Sequence, residues 1–276
     1  MPELPEVETV RSGLEKKIIN CKIEEVKVLR EKTLSNISVK EFCEKLKGQT
    51  FSEIKRKAKN LFLEMKSGLV IGVHLKMSGA FLIQPANEEI PKHTHIIFVL
   101  DNNLELRFKD LRAFGRMNLF SSWQEAISTA SIIKLAPEPI SKNFSLDYFK
   151  QALQKYKSPI KPLLLEQSKI VSGIGNIYAD ESLFLSGIQP TRMANSINET
   201  EAEKLYKALK TVIINSIKVG GTSIRDYVDT DGQLGNYALQ LNVYGRKKQK
   251  CLVCESPIQF IKLGQRGTHF CSNCQT

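Results

Sequence analysis

Cys251-Leu252-Val253-Cys254, sixteen further residues, and Cys271-Ser272-Asn273-Cys274 form the stretch whose spacing commits part of this chain to one fold. Two Cys-x2-Cys knuckles offer four thiolates, the tetrahedral set that zinc takes in a ribbon. A closed shell of thiolates leaves no coordination position for water or substrate, so the expected metal is one structural zinc ion with no part in chemistry. Cys21 and Cys43 stand alone in ordinary sequence and read as partly buried thiols. With no signal peptide ahead of them, a disulfide framework is not expected. Between the knuckles, 259–262 and 268–270 read as short strands joined by Leu263-Gly264-Gln265-Arg266-Gly267. That tip holds Arg266 among glycines, a shape suited to reaching into a groove and equally compatible with a solvated surface arginine.

Outward from the ribbon, helical periodicity covers 145–156, 159–166, 176–186 and 199–219, with Gly187 and Gly220-Gly221 as stops. Asn198 followed by Glu201 is a capping box for the last of these. Gly173-Ile174-Gly175-Asn176 leads straight into a helix, and free N–H groups there can cradle a phosphate. Asn176 acting as a plain N-cap fits the same residues. The Gly-Lys-Ser/Thr of a nucleotide P-loop is absent. Pro137 and Pro139 stiffen a linker at 135–140. Upstream of it, alternating apolar runs at 23–29, 51–55, 61–65, 69–75, 95–100, 104–108 and 116–120, separated by polar turns, predict an antiparallel sandwich. The expected class is therefore α+β and multidomain. An N-terminal β-sandwich with its own helix spans 1–135, a linker 136–144, a helical (helix, two turns, helix) domain 145–240 and a zinc finger 241–276.

The amino terminus reads Met1-Pro2-Glu3-Leu4-Pro5-Glu6-Val7-Glu8. Leu4, Val7, Val10, Leu14 and Ile18 step along one helical face, which predicts an amphipathic helix over 3–18. Glu3, Glu6 and Glu8 fall in its first turns, where carboxylates offset the helix dipole. Removal of Met1 before Pro2 would expose a secondary amine, which titrates near pH 8 and is a competent nucleophile toward carbonyl-like carbon. Glu3, covalently next to that amine, is placed to move protons. Charge supplies a partner: 40 Lys and Arg against 29 Asp and Glu give a formal +11, a surplus that points to a polyanion. No transmembrane run or targeting segment is visible, so a cytoplasmic protein is expected.

Several segments in order resemble the bacterial formamidopyrimidine-DNA glycosylases. They are Pro2 to Glu8, Arg56-Lys57-Ala58-Lys59-Asn60-Leu61, His74-Leu75-Lys76-Met77-Ser78-Gly79, Ile160-Lys161-Pro162, Gly173-Ile174-Gly175-Asn176-Ile177-Tyr178, and the ribbon with Gln265-Arg266-Gly267-Thr268. The resemblance spans essentially the whole chain. It implies a bifunctional glycosylase and abasic-site lyase acting on oxidised purines in double-stranded DNA, for which a monomer suffices. Pro2 would be the nucleophile and Glu3 the proton shuttle, with Lys59, Lys161 and Arg266 completing the catalytic set. His74, Asn176, Tyr244 and Arg246 would contact DNA, while Met77, Arg112 and Phe114 would fill the stack vacated by an extruded nucleotide. Gly221, Thr222, Ser223, Ile224, Arg225 and Tyr227 would form the loop that closes over the lesion. Cys251, Cys254, Cys271 and Cys274 would hold the zinc.

Two departures stand out. Asp110-Leu111-Arg112-Ala113-Phe114-Gly115 lacks the proline and second arginine of the family's Asp-Pro-Arg-Arg-Phe-Gly, and Asn60 replaces a common tyrosine. The first bears on loop stiffness, the second on packing beside Lys59. Two other readings compete: the related endonuclease VIII, which prefers oxidised pyrimidines, and a non-catalytic zinc-ribbon binder of DNA or structured RNA. Leu4-Pro5-Glu6-Val7-Glu8 favours the purine enzyme over the first. The second leaves the amine beside Glu3 unexplained.

Overall fold

A computed structural model describes residues 1–224 and 226–276, so Arg225 of the predicted lesion loop lies outside the described residues. The chain forms two compact units, Met1–Ile133 with Val219–Asn236, and Lys134–Lys218 with Tyr237–Thr276.

The first unit opens with α1 (Leu4–Ile18). Its predicted face, Leu4, Val7, Val10, Leu14 and Ile18, is wholly buried. After α1 come β1 (Ile23–Val28), the short α2 (Val39–Leu46), and β2 (Phe51–Lys57), β3 (Asn60–Met65), β4 (Val70–His74) and β5 (Gly79–Pro85). β6 (Thr94–Leu100), β7 (Leu104–Asp110), β8 (Arg116–Phe120), α3 (Trp123–Ile127) and α4 (Ala130–Ile133) complete the stretch. The strands form two four-stranded antiparallel sheets, β1-β6-β7-β5 and β2-β3-β4-β8. Residues of α1, α2 and both sheets share one apolar core, which includes Val10, Phe42, Phe51, Ile71, Phe81 and Phe98. The sandwich is as predicted, with two elements the periodicity did not reveal. β5 begins at a glycine and ends at a proline, both strand breakers in isolation, and proline is tolerated because β5 is an edge strand. α2 is only eight residues long and rests on the Phe42 and Leu46 pair, with Ser38 Oγ accepting the Glu41 N–H at 3.3 Å.

Arg107 on β7 is fully buried, and its five donors all find acceptors. Nε donates to Glu105 Oε2 at 2.7 Å, Nη1 to Gln84 Oε1 and the Glu89 carbonyl, and Nη2 to the Pro85 and Glu88 carbonyls. The residue thus fixes the β5–β6 connection from below. Arg107→Met should cost roughly 3–5 kcal/mol in denaturant unfolding, because Glu105 is left buried and unpaired. Lysine should not rescue it, since one ammonium cannot reproduce the fork.

Val219–Asn236 packs with this first unit. The physical reason is its docking on α1 and β5. The Ile83 N–H donates to the Thr230 carbonyl at 3.1 Å, Lys17 pairs with Asp231, and Gly13 leaves room for Thr230, whose Oγ1 would lie 2.4 Å from a Cβ there.

The second unit carries α5 (Leu146–Gln154), α6 (Ile160–Leu165), α7 (Asn176–Ser186), α8 (Glu199–Lys218) and the hairpin β9 (Gln259–Leu263) with β10 (Arg266–Phe270). α7 is its spine, buried on almost every side and stopped by Gly187 at φ 73°. Tyr178 joins it to α8 through a 2.6 Å hydroxyl contact with Ser216. The hairpin turn is tighter than the sequence implied: Gly264 and Gln265 both have positive φ, a two-residue primed turn, and Arg266 already pairs with Leu263. Arg266 therefore starts a strand instead of riding on a loop. No described helix is long and apolar enough to cross a membrane.

Candidate active site and nucleic-acid interface

In the first unit, Pro2 is buried and Glu3 is the N-cap of α1, 3% exposed. The Glu3 N–H donates to Glu6 Oε2 at 2.7 Å within a reciprocal capping box. The other oxygen of Glu6 accepts the Thr222 N–H, also at 2.7 Å. One buried carboxylate therefore holds both the residue next to Pro2 and the predicted lesion segment. The sequence reading gave Glu6 only a dipole role, because its second partner is 216 residues away. Gly221, at φ 83°, faces the same group, with Glu6 Oε1 2.9 Å from where a Cβ would stand. Tyr227 is buried and donates to the Gly220 carbonyl at 3.1 Å. Burial first, and the Glu6 charge second, push its hydroxyl pKa upward, so it stays a donor. Ser223 Oγ donates to the Tyr227 carbonyl and accepts the Gly235 N–H, and Ile224 remains exposed.

Lys59 sits in the two-residue turn between β2 and β3, 6% exposed. Its neighbour Ala58 has φ 51°, a conformation that favours glycine. Arg56 holds the turn in place: Nη1 donates to the Ala58 carbonyl at 2.9 Å and Nε to Glu8 Oε2 at 2.7 Å. Glu8 is thus an anchor for the lysine turn as well as a first-turn acid. Asn60 pairs with His74 across β3 and β4, which brings His74 close to the Lys59 turn. His74 Nδ1 accepts the Lys76 N–H at 3.0 Å, leaving Nε2 to carry the proton as a neutral donor. Burial foremost, then Lys76 and Lys59, lower its pKa from an ordinary 6.5 to about 4. The folded state thus takes up this proton only near pH 4 while the unfolded chain takes it up near 6.5. The His74 contribution to stability should be complete above pH 6.5 and lost as pH falls toward 4, worth about 3 kcal/mol. Unfolding of wild type and His74→Gln across that range measures it, since the amide removes this slope.

Met77 and Phe114 are 38% and 48% exposed, and the Arg112 guanidinium lies 5.1 Å from the Phe114 ring centre. Asp110, fully buried, joins the two loops that carry them. Oδ1 accepts Ser78 Oγ at 2.5 Å and the Arg112 N–H at 3.2 Å, while Oδ2 accepts the Gly115 N–H at 2.6 Å. This carboxylate supplies the stiffness that Leu111, in place of proline, does not. Ala113 holds φ 55° within the same turn.

In the second unit, Asn176 opens α7 and its Nδ2 donates to the Gly267 carbonyl at 2.9 Å. Arg266 is exposed at the start of β10. The Tyr244 ring packs 5.1 Å from His269, and its N–H, with those of Asn242 and Val243, is held by Glu181. Arg246 directs its guanidinium at Gln249 Oε1 and the Asn242 and Lys250 carbonyls, clamping its own loop. Lys161 is fully buried, with Nζ 2.7 Å from Asp180 Oδ1. Asp180 and Glu181, two acids inside an otherwise buried helix, were missed by the sequence reading, and their place in an apolar run is the signal that could have found them. The sulfurs of Cys251, Cys254, Cys271 and Cys274 all lie within 4.8 Å of one another. A Zn–S bond of about 2.3 Å implies tetrahedral S···S distances of about 3.8 Å. The Cys251–Cys274 and Cys254–Cys271 pairs, at 3.9 and 3.4 Å, fit such an ion.

Three family models match this chain. They are the formamidopyrimidine-DNA glycosylase N-terminal domain over residues 1–117, the formamidopyrimidine-DNA glycosylase H2TH domain over 135–228, and the zinc finger found in FPG and IleRS over 248–276. A formamidopyrimidine-DNA glycosylase of Listeria monocytogenes is 42% identical over 275 residues, covering all of both chains. One from Ligilactobacillus salivarius is 44% identical, covering all of this chain and 99% of its own. Among solved structures, Lactococcus lactis Fpg bound to abasic-site DNA aligns with TM-score 0.92 at 34% identity, over 99% of both chains. MutM in complex with DNA containing carbocyclic 8-oxo-G aligns at the same TM-score, 35% identical over 99% of both.

Proposed function

The chain belongs to the formamidopyrimidine-DNA glycosylase family, and we propose that it excises oxidised purines from duplex DNA through an imine on Pro2, then cleaves the strand by β,δ-elimination. The observation that carries this reading is the Glu6 carboxylate, which fastens the backbone beside Pro2 and the Thr222 amide of the lesion segment. On this reading one carboxylate supports both the nucleophile and the cover of the lesion. Extrusion of the damaged nucleotide is required, because C1′ is inaccessible in a stacked duplex. Met77, Arg112 and Phe114 are the apolar and hydrogen-bonding groups to occupy the gap. Lys59, the His74 Nε2–H, Asn176 and Arg266 are donors for the flanking phosphates. Tyr244 and Arg246 are further DNA contacts on this reading, as the resemblance implies.

With Met1 removed, the Pro2 nitrogen forms a bond to C1′ as the glycosidic bond breaks, and the base leaves with a proton. The C1′–O4′ bond then opens, O4′ takes a proton, and the C1′–N bond becomes an iminium. Glu3, at the N-cap, is the carrier of these protons. The iminium acidifies C2′–H. Loss of that proton expels the 3′ phosphate, and a second elimination expels the 5′ phosphate, leaving a one-nucleotide gap. Zinc at the four cysteines supplies folding energy to the hairpin only.

Borohydride trapping on a duplex with 8-oxoguanine opposite cytosine tests the reading. A reduced adduct mapping to Pro2, absent with undamaged duplex, is expected. Binding without an adduct, in protein with Met1 removed and zinc bound, would make lesion binding without catalysis, or a different damaged base, the better reading.

A further inference from the structure

We infer that Asp180 is a positioning residue for DNA engagement by Arg266, acting through Lys161 and Thr268 without touching DNA. The inference rests on the proposed function above and deepens it. Lys161 lies on α6 and Asp180 on α7, both fully buried. Lys161 Nζ donates to the Gly267 carbonyl at 2.8 Å and to Thr268 Oγ1 at 2.9 Å, and forms an ion pair with Asp180 Oδ1 at 2.7 Å. Lys161 is fully buried, so a phosphate oxygen has no access to this charge. Thr268 Oγ1 in turn donates to the Arg266 carbonyl at 3.3 Å, which closes a chain from the buried ion pair to the exposed arginine.

The second oxygen of Asp180 completes the grip. It accepts the His269 N–H at 2.9 Å and lies 3.4 Å from His269 Nδ1. The Gly267 carbonyl also accepts from Asn176 Nδ2. Three successive residues of β10, Gly267, Thr268 and His269, are therefore tied to α6 and α7 by polar contacts, immediately beyond Arg266. A two-stranded hairpin of five-residue strands is marginally stable by itself. Its free strand would leave an exposed arginine many orientations, and a bidentate phosphate contact tolerates few. The buried pair thus sets where Arg266 and Asn176 stand relative to each other. A residue that the sequence resemblance marks for lesion processing would then act from inside the fold.

A double-mutant cycle reads this directly. Wild type, Asp180→Asn, Arg266→Ala and the double variant are titrated with a duplex carrying a tetrahydrofuran abasic analogue, which reports positioning with no chemistry. Zinc content and unfolding are measured alongside. Asp180→Asn should weaken binding about tenfold and lower the salt dependence by about one phosphate contact, as Arg266→Ala does. In the Arg266→Ala background the Asp180 change should add less than twofold. If the two losses multiply, Asp180 does not act through Arg266 and the inference falls. Thr268→Val, a near-isosteric change, guards against misfolding of the buried-pair variant. It should weaken binding two- to fivefold with full zinc content, again with no further loss in the Arg266→Ala background. Unchanged binding in Thr268→Val would overturn the proposed relay. A wild-type protein that binds lesion duplex no better than undamaged duplex would overturn the functional reading itself, which separates the two failures.

Discussion

A chain that retains Met1, or carries any acyl group on the Pro2 nitrogen, should lose the borohydride-trapped adduct and fall by about 10³-fold or more in strand cleavage, the scale on which removing a nucleophile acts. The cause is electronic. An amide nitrogen has delocalised its lone pair and cannot form the iminium that both steps need. Binding to the abasic-analogue duplex should change by less than about threefold, because the proposed phosphate donors Lys59, His74, Asn176 and Arg266 do not depend on that lone pair. The pairing of a lost reaction with retained binding is the diagnostic result. If blocked protein still cleaved at 8-oxoguanine, a side-chain amine would be the nucleophile. Lys59, 6% exposed in its β2–β3 turn, would be the first to test. Electrospray mass of the mature chain and trapping yield across N-terminal variants measure the relation directly.

What was legible in the sequence and what was not divides by the distance over which the partners are linked. The α1 face, the cysteine spacing and most strands are local patterns, readable within about twenty residues, and all appear where periodicity placed them. β5 was missed because its ends are a glycine and a proline, and α2 because eight residues give barely two turns of signal. The site behaves in the same way. Pro2 and Glu3 are readable because their chemistry lies in adjacent residues. Glu6 and Thr222, 216 residues apart, are paired only in the fold, as are Lys161 and Thr268, 107 apart. No periodicity predicts which buried acid will meet which distant donor. Two acids in the apolar run of α7 do signal that some buried cation or amide must answer them. The packing of Val219–Asn236 was hidden for a related reason: Gly220-Gly221 marks a helix end without saying which sheet the chain joins next.

Removal of the metal from the four-cysteine site should abolish lesion binding while leaving the sandwich folded. The hairpin's own core is small, Phe184, Val243, Cys251, Ile258 and Cys271 with Cys254 and Cys274 at its margin, so four of its seven members are the cysteines that would hold the ion. Structural zinc in such units contributes about 10–16 kcal/mol of apparent folding energy at neutral pH, far beyond what that core replaces. Cys271→Ser or a strong chelator should therefore make 248–276 sensitive to protease and lower affinity for the abasic-analogue duplex by about 10²-fold or more, in line with lost phosphate contacts. Thermal unfolding of the first unit, whose core lies within Met1–Ile133 and Val219–Asn236, should stay within a few degrees of wild type. Replacing zinc by cadmium or cobalt discriminates a structural from a catalytic role. Four thiolates saturate the tetrahedron, so the substituted enzyme should trap the 8-oxoguanine adduct at a rate within about twofold of the zinc form. A rate that followed the Lewis acidity of the ion would place the metal in the reaction, and with it a water or sugar oxygen in a coordination sphere that four cysteines are arranged to fill.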